Sequence, residues 1–307
     1  MLSLFKKLDG GAGQTGFFRT PAGLATAQLM RAPSGAKPVL THCSFDAGVD
    51  EDALTRATRQ LPNRKLPAVT VLPASAYSML LVEAPDVPAD ELRAAVRWRI
   101  KDLIDFHIDD AVLDVFQMPS RGHGGPNQMM YAIAAKADGV RNEVDAAEHA
   151  GIKLKAIDIL ELSLRNIAAM LEDDGRGVGL LYLGQTTGVL LLVRQGILYL
   201  ARRFETGVQT LNDAETLRSE LVAGLALEAR RSLDYFESHY EQSSIPVIYT
   251  AGLAPADIDQ MASELTISVR HVELASLFDV QTEYDDETSR RCMPAIGGAL
   301  RRDEVAL

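Results

Sequence analysis

The chain has little cysteine, a single tryptophan and no long apolar run. Cys43 and Cys292 are the only two cysteines in 307 residues, and no CxxC pair occurs. That excludes a disulfide framework or a zinc knuckle and suits a reducing compartment. No segment approaches the ~20 apolar residues of a membrane-spanning helix. The start, "MLSLFKKLDGGAG", has a basic pair but lacks the apolar stretch of a signal peptide. Basic charge is also in deficit: 31 Lys and Arg against 42 Asp and Glu leave a formal charge of −11. Such a field repels phosphate backbones on average, and no basic face with interleaved aromatics argues for nucleic acid. Walker A, G-x-G-x-x-G, G-x-S-x-G and H-E-x-x-H patterns are all missing. His42, His107, His123, His149, His239 and His271 form no pair at i, i+3 or i+4, so no metal site is expected.

What is there is an ordinary globular composition, 47% hydrophobic and 24% charged. Strand and helix patterns alternate, which predicts an α/β protein of two lobes. Residues 16–18 and 23–31 read as a hairpin turning at Thr20-Pro21-Ala22-Gly23. "VDEDALTRATRQLP" carries helix start and stop signals, and "PAVTVLPAS" and "SMLLVEAP" read as strands. "DVPADELRAAVRWRIKDLIDF" is the clearest helix, with Leu92, Ala95, Val96, Leu103 and Phe106 on one face. Trp98 falls at the edge of that stripe, as a half-buried core residue or as an anchor for a partner segment. Arg99 falls inside the apolar arc, where it snorkels or pairs with a carboxylate or a partner.

Strands "AVLDVFQMP" and "QMMYAIAAKA" flank the loop "SRGHGGPN"; a helix at 140–150 and the strand "KLKAIDI" follow. Residues 80–159 therefore read as a compact α/β subdomain. Asp105, Asp109, Asp110 and Asp114 read as a solvated helix end and loop, and "EYDDETSRR" as an exposed loop. Beyond come a helix in "ELSLRNIAAMLEDDG" and three strands in "LLYLGQTTGVLLLVRQGILYLARRF". A helical run at 214–240 carries Leu217, Leu221, Leu225, Leu227, Leu233 and Phe236 at helical spacing. "IPVIYTAGLA" is a strand entering a turn, 255–265 a helix, "SVRHVELASLF" a strand plus a short turn, and "RCMPAIGGALR" a terminal helix. The turn Gly184-Gln185-Thr186-Thr187-Gly188 is small and hydroxyl-rich, as phosphate-binding turns are, but Tyr182 and Leu183 bring no charge into it.

"ELRAAVRWRIKDLIDFHIDDAVLDVF" resembles the signature region of PilM-type proteins of type IV pilus assembly, and is most similar to the MshI branch serving the MSHA pilus. "MLSLFKK", "LGQTTGVLLLVRQGILYLARRFETG", "VIYTAGLAPADI" and "PAIGGALR" support the resemblance. It implies an actin-like (ribonuclease H-like) two-lobed α/β fold of the FtsA kind with an inserted α/β subdomain. On that pattern 1–79 begin lobe 1, 80–159 are the insert, and 160–177 are a lobe 1 helix and link. Lobe 2 is then 178–285, and 286–307 return to lobe 1. The resemblance further implies a cytoplasmic protein, peripheral at the inner membrane. It would bind the cytoplasmic N-terminal tail of a bitopic PilN- or MshJ-like protein in a groove between insert and main lobe, with Arg97, Trp98 and Arg99 as candidate contacts. Contact with the pilus assembly ATPase and a homodimer are further expectations, and the type II secretion protein GspL has a similar cytoplasmic region.

Active members of this fold hold ATP and Mg²⁺ between two hairpins, each with an acidic residue near its turn, because Mg²⁺ requires hard oxygen ligands. Here Phe18, followed by Thr20, and Tyr182, followed by Gly184, occupy those places. A shift of one residue restores no acid. The adenosine-side turn Ala251-Gly252-Leu253-Ala254 keeps one glycine, and Leu253 is expected to obstruct a base or ribose. Thr186 and Thr187 remain as phosphate contacts. The expectation is a pseudo-ATPase with no catalytic residue, no metal and no cofactor beyond weak ATP or ADP binding. The competing reading, a working Mg-ATPase of pilus assembly or type II secretion, draws unusual ligands from Glu205 or Asp213.

Overall fold

The computed structural model describes residues 13–33, 35–48, 50, 52–88, 91–119 and 128–302. Lobe 1 opens with β1 (Gln14–Thr20), β2 (Gly23–Met30), β3 (Val39–Asp46), α1 (Ala53–Gln60) and β4 (Ala68–Leu72). The chain then forms β5 (Tyr77–Glu83), α2 (Leu92–Ile100), β6 (Ala111–Gln117) and β7 (Met129–Lys136). It returns through α3 (Ala137–His149), β8 (Leu154–Ile159) and α4 (Leu160–Leu171). Lobe 2 holds β9 (Val178–Leu183), β10 (Gly188–Arg194), β11 (Ile197–Phe204), α5 (Val208–Asp213) and α6 (Arg218–Tyr240). β12 (Val247–Ala251), α7 (Pro255–Leu265), β13 (Ser268–His271) and α8 (Leu274–Leu277) are followed by β14 (Asp279–Val280) and α9 (Asp286–Ala299).

The two main sheets share one wiring. In lobe 1 β1, β2 and β3 form an antiparallel meander, β4 adds parallel to β1 and β8 parallel to β4. In lobe 2 β9, β10 and β11 repeat the meander, with β12 parallel to β9 and β13 parallel to β12. Between them α4 and α9 lie in a common core, where Leu164, Ile167, Ala295 and Ile296 meet Leu180 and Leu191. α9 reaches its place because two glycines let backbone approach backbone. A Cβ at Gly16 would stand 1.8 Å from the Ala295 carbonyl oxygen, and one at Gly297 2.1 Å from that of Ser163.

β5, β7 and β6 form a separate three-stranded antiparallel sheet. Side chains alternate across it. One face holds Val82, Met130, Ala132 and Ala134 against Leu92, Val96 and Ile100 of α2. The other presents Tyr77, Phe116, Tyr131 and Ile133 toward lobe 2. Burial pushes the Tyr131 hydroxyl up to about 12, although the backbone of Ala201 in β11 hydrogen-bonds to it.

Several sequence expectations need correction. β8, read as part of the insert, is an edge strand of the lobe 1 sheet, and the insert's first strand begins at Tyr77 rather than at residue 80. The helix expected to reach Phe106 stops at Ile100, because Leu92, Val96 and Ile100 already cover the small sheet and the chain must turn back to β6. Leu103 is therefore 58% exposed rather than in the core. The run at 214–240 begins as a single 3-10 turn at Glu215–Leu217 and becomes α-helical at Arg218, and Leu217 and Leu227 face solvent. "EYDDETSRR" is no plain loop: α9 starts within it, with Asp285 capping the Thr288 N–H. The loop "SRGHGGPN" and most of the Gly-rich start lie outside the described residues.

The shared core makes a direct prediction. Ile167→Ala, at a fully buried position between the sheets, should lower unfolding free energy by about 2–5 kcal/mol in chemical denaturation. A loss below about 1 kcal/mol would mean that the two sheets do not share this core.

Candidate functional site

A cleft of about 600 Å³ opens between the lobes, where the β1–β2 and β9–β10 turns face each other. Its walls include Phe18, Thr20, Phe45, Tyr182, the 184–188 turn, Arg203, Phe204, Glu205, Arg290 and Arg291. Phe18 and Tyr182, at the positions where the resemblance implies acids, are both buried apolar wall. Burial pushes the Tyr182 hydroxyl up to about 12, so it offers no oxyanion near neutral pH. Thr20 is used within its own turn, accepting from the Ala22 N–H at 3.2 Å and donating to the Gly23 carbonyl at 3.3 Å. Thr186 and Thr187 are exposed at the mouth. The Gly184 N–H closes their turn onto the Thr187 carbonyl at 2.8 Å, and the Gly184 carbonyl accepts from the Val208 N–H of α5 at 3.0 Å.

Gly252 is not on the cleft wall. Its φ is +112°, and a Cβ there would meet Leu183 Cβ at 2.9 Å and Arg290 Cδ at 3.0 Å. Leu253, expected to obstruct a base, is instead buried in the lobe 2 core with Met261. The group packed against this turn is Arg290, which donates from Nη1 to the Leu183 carbonyl at 3.0 Å. Burial pulls the Arg290 guanidinium below its ordinary pKa. Arg291 beside it lies 4.2 Å from the Phe45 ring and pairs with Glu287. Glu205 is the one carboxylate on the described cleft wall, and Asp213 is not part of it. Among the described residues no three His, Cys, Asp or Glu side chains come together as a metal site.

Behind the wall lies a polar junction that the sequence reading missed. Glu161, the second residue of α4, is wholly buried. It accepts from Arg203 Nε at 2.7 Å and from the Tyr77 hydroxyl. The Tyr77 oxygen also takes the Leu160 N–H at 3.2 Å. Arg203 donates from Nη1 to the Ala74 carbonyl at 3.0 Å and stands 4.9 Å from the Tyr77 ring. Burial, then the Glu161 charge, pushes the Tyr77 hydroxyl well above its usual value. For Arg203, burial opposes the charge but Glu161 and Tyr77 outweigh it, raising the guanidinium. The signal was present: Glu161, Leu164 and Ala168 lie on one helical stripe, so a carboxylate sits inside an apolar face.

Arg97, Trp98 and Arg99 lie on α2, on the face of the small sheet turned away from lobe 2, and none lines the cleft. Arg97 holds the return to β6, donating to the Ile108 and Ala111 carbonyls with Asp109 at 3.6 Å. Arg99 is exposed rather than in the apolar arc, and donates to the Glu83 carbonyl at 3.1 Å. Trp98 is 71% exposed, not a half-buried core residue. Lys101 Nζ stands 5.7 Å from the Trp98 ring.

The junction is open to direct test. Glu161→Gln removes the counter-charge of a partly buried guanidinium and should cost about 2 kcal/mol, whereas Tyr77→Phe, losing a neutral donor, should cost about 1 kcal/mol. Equal melting temperatures for wild type and Glu161→Gln would show that the junction carries no weight.

The family model for the type IV pilus assembly protein PilM matches residues 46–218, more than half of the chain. No curated protein sequence matches. Among solved structures, a PilM-PilN type IV pilus biogenesis complex is similar at 20% identity and TM-score 0.73, covering 94% of this chain and 98% of that one. The cytoplasmic domain of EpsL, an inner membrane component of the type II secretion system of Vibrio cholerae, is similar at 12% identity and TM-score 0.50. That match covers 83% of this chain and 95% of the other. Two lobes of matching topology around a cleft, an inserted sheet and a family match across the junction agree with one another: the fold is actin-like, and the chain belongs to the PilM family of type IV pilus assembly proteins.

Proposed function

We propose that this chain is a non-catalytic docking component of a type IV pilus assembly platform, of the MSHA type. In this reading it is held at the cytoplasmic face of the inner membrane by the N-terminal tail of a bitopic PilN- or MshJ-like protein. The similar solved structure is a PilM-PilN complex, which supports a partner of that kind. Contact with the assembly ATPase and self-association are compatible with such a scaffold. No helix among the described residues is long and apolar enough to cross a membrane, so membrane attachment through a partner fits.

The observation that carries the non-catalytic reading is the pair Phe18 and Tyr182, buried where a metal-binding cleft needs carboxylates. Phosphoryl transfer requires a cation bridging the phosphates and an oriented water. Glu205 alone is a poor substitute for the several oxygen ligands that Mg²⁺ demands. Weak ATP or ADP binding through the 184–188 turn and the arginines is compatible with this reading; turnover is not.

Purified chain incubated with MgATP is expected to release no phosphate above the buffer rate. Steady release abolished by Glu205→Gln would instead establish the ATPase reading. For docking, a synthetic peptide of the partner's cytoplasmic tail is expected to bind in calorimetry. Trp98→Ala, at an exposed position, should weaken it about tenfold, or 1.4 kcal/mol, without moving the melting temperature. Absence of binding to the wild type would refute the docking role, and an unchanged affinity in the variant would remove Trp98 from the contact.

A further inference from the structure

Cys43 on β3 and Cys292 on α9 are the only cysteines of the chain, and they stand near its opposite ends. The fold brings them together. α9 lies against the lobe 1 sheet, and both cysteines belong to the core it shares with β2, β3 and α4. Cys292 Sγ donates to the carbonyl of Ser44, the next residue after Cys43, at 3.1 Å, and lies 3.9 Å from the Thr26 carbonyl of β2. The two thiols are themselves hydrogen-bonded; that bond, followed by burial, pushes the Cys292 thiol well above its ordinary pKa.

Packing alone does not call for sulfur here. Ala27 is the strand partner of Cys43, and Ala295 and Ala299 continue the α9 stripe that carries Cys292. Small side chains without a reactive group therefore fill the same layer. Two thiols in contact differ from a single buried cysteine in one respect: once either sulfur is oxidised, the other is already in place to attack it.

We propose that Cys43 and Cys292 form an oxidative modification site, a dithiol at rest that hydrogen peroxide closes to one disulfide, fastening α9 to β3. Cys43 keeps 4% exposure and Cys292 none, so Cys43 meets the oxidant first. Its thiolate attacks one peroxide oxygen and the O–O bond breaks, leaving a sulfenic acid and a hydroxide that takes the thiol's proton as water. The Cys292 sulfur then attacks the Cys43 sulfur. The S–O bond breaks, and the hydroxyl leaves as water with the Cys292 proton. Two thiols and one peroxide thus become one disulfide and two waters, the sulfurs giving up the two electrons that the peroxide gains. Burial keeps the reaction slow and confines it to openings that lift α9 from β3; the bond, once made, prevents that opening. Arg290 and Arg291 immediately precede Cys292, so the link also holds these two cleft residues over lobe 1. The site is independent of partner docking and of whether the cleft hydrolyses anything.

The test exposes the full wild-type chain, reduced and then freed of reductant, to hydrogen peroxide under native conditions. Thiols are counted afterwards with a chromogenic disulfide reagent in guanidinium. The count is expected to fall from two to none. Peptide mass spectrometry should find the Cys43 and Cys292 peptides joined within one chain. The oxidised form should melt roughly 5 °C or more above the reduced one, because a link between residues distant in sequence restricts the unfolded chain most. Dithiothreitol should reverse both changes, which separates the disulfide from methionine sulfoxide, a product that needs its own reductases. Cys43→Ser, treated alike, should show no rise in melting temperature. Two thiols surviving a treatment that oxidises the guanidinium-unfolded chain, linkage between chains in place of within one, or an oxidised form that melts lower would overturn the proposal.

Discussion

Glu161 brings a carboxylate, fully screened from water, to the point where α4, the inserted sheet and lobe 2 meet. A charge in that position is stable only if it is paired and hydrogen-bonded by nearby donors. Tyr77 from the first strand of the insert and Arg203 from an edge strand of lobe 2 provide those donors, and Arg203 also grips the Ala74 carbonyl before the insert begins. The three parts of the molecule are thereby set in one relative position by charge and direction, where apolar packing alone would permit sliding. Breaking the contact would expose a carboxylate and a guanidinium together, so the cleft in front of it has a rigid rear wall.

That wall explains the character of the cleft. Phe18, Tyr182, Phe45 and Phe204 make its surface apolar, and its cationic side chains are Arg203 and Arg291, each paired with a carboxylate, and Arg290, which holds the Leu183 carbonyl. An ATPase of this fold needs the reverse, with acids holding a cation between the turns. Anion binding and hydrolysis are separate questions in this cleft.

Much of the architecture was legible. The β1–β2 hairpin, the meander of lobe 2 and helices α4 and α7 follow from period, turn chemistry and caps that act within a few residues. That Phe18 and Tyr182 are not acids is read directly from residue type, and the structure adds that both are buried on the cleft wall. What escaped depends on tertiary partners. The wheel placed Leu103 in the core, yet α2 ends at Ile100, so the helical spacing no longer holds there. Strand pairing moved β8 out of the insert, and pairing is non-local. Arg290 looked like loop because its local sequence is polar; it is buried because α9 must fit between two lobes. Trp98, read either as a half-buried core residue or as an anchor for a partner segment, faces water, so the core alternative is the one that fails.

The central claim is that this cleft cannot seat a divalent cation beside a nucleotide. The most direct measurement compares the melting temperature of the chain in millimolar ATP with excess chelator against the same ATP with Mg²⁺. Any shift should be the same in both, since whatever binding exists would depend on arginines and backbone. A stabilisation present only with Mg²⁺, of about 2.7 kcal/mol at a hundredfold excess over the dissociation constant, would contradict the claim.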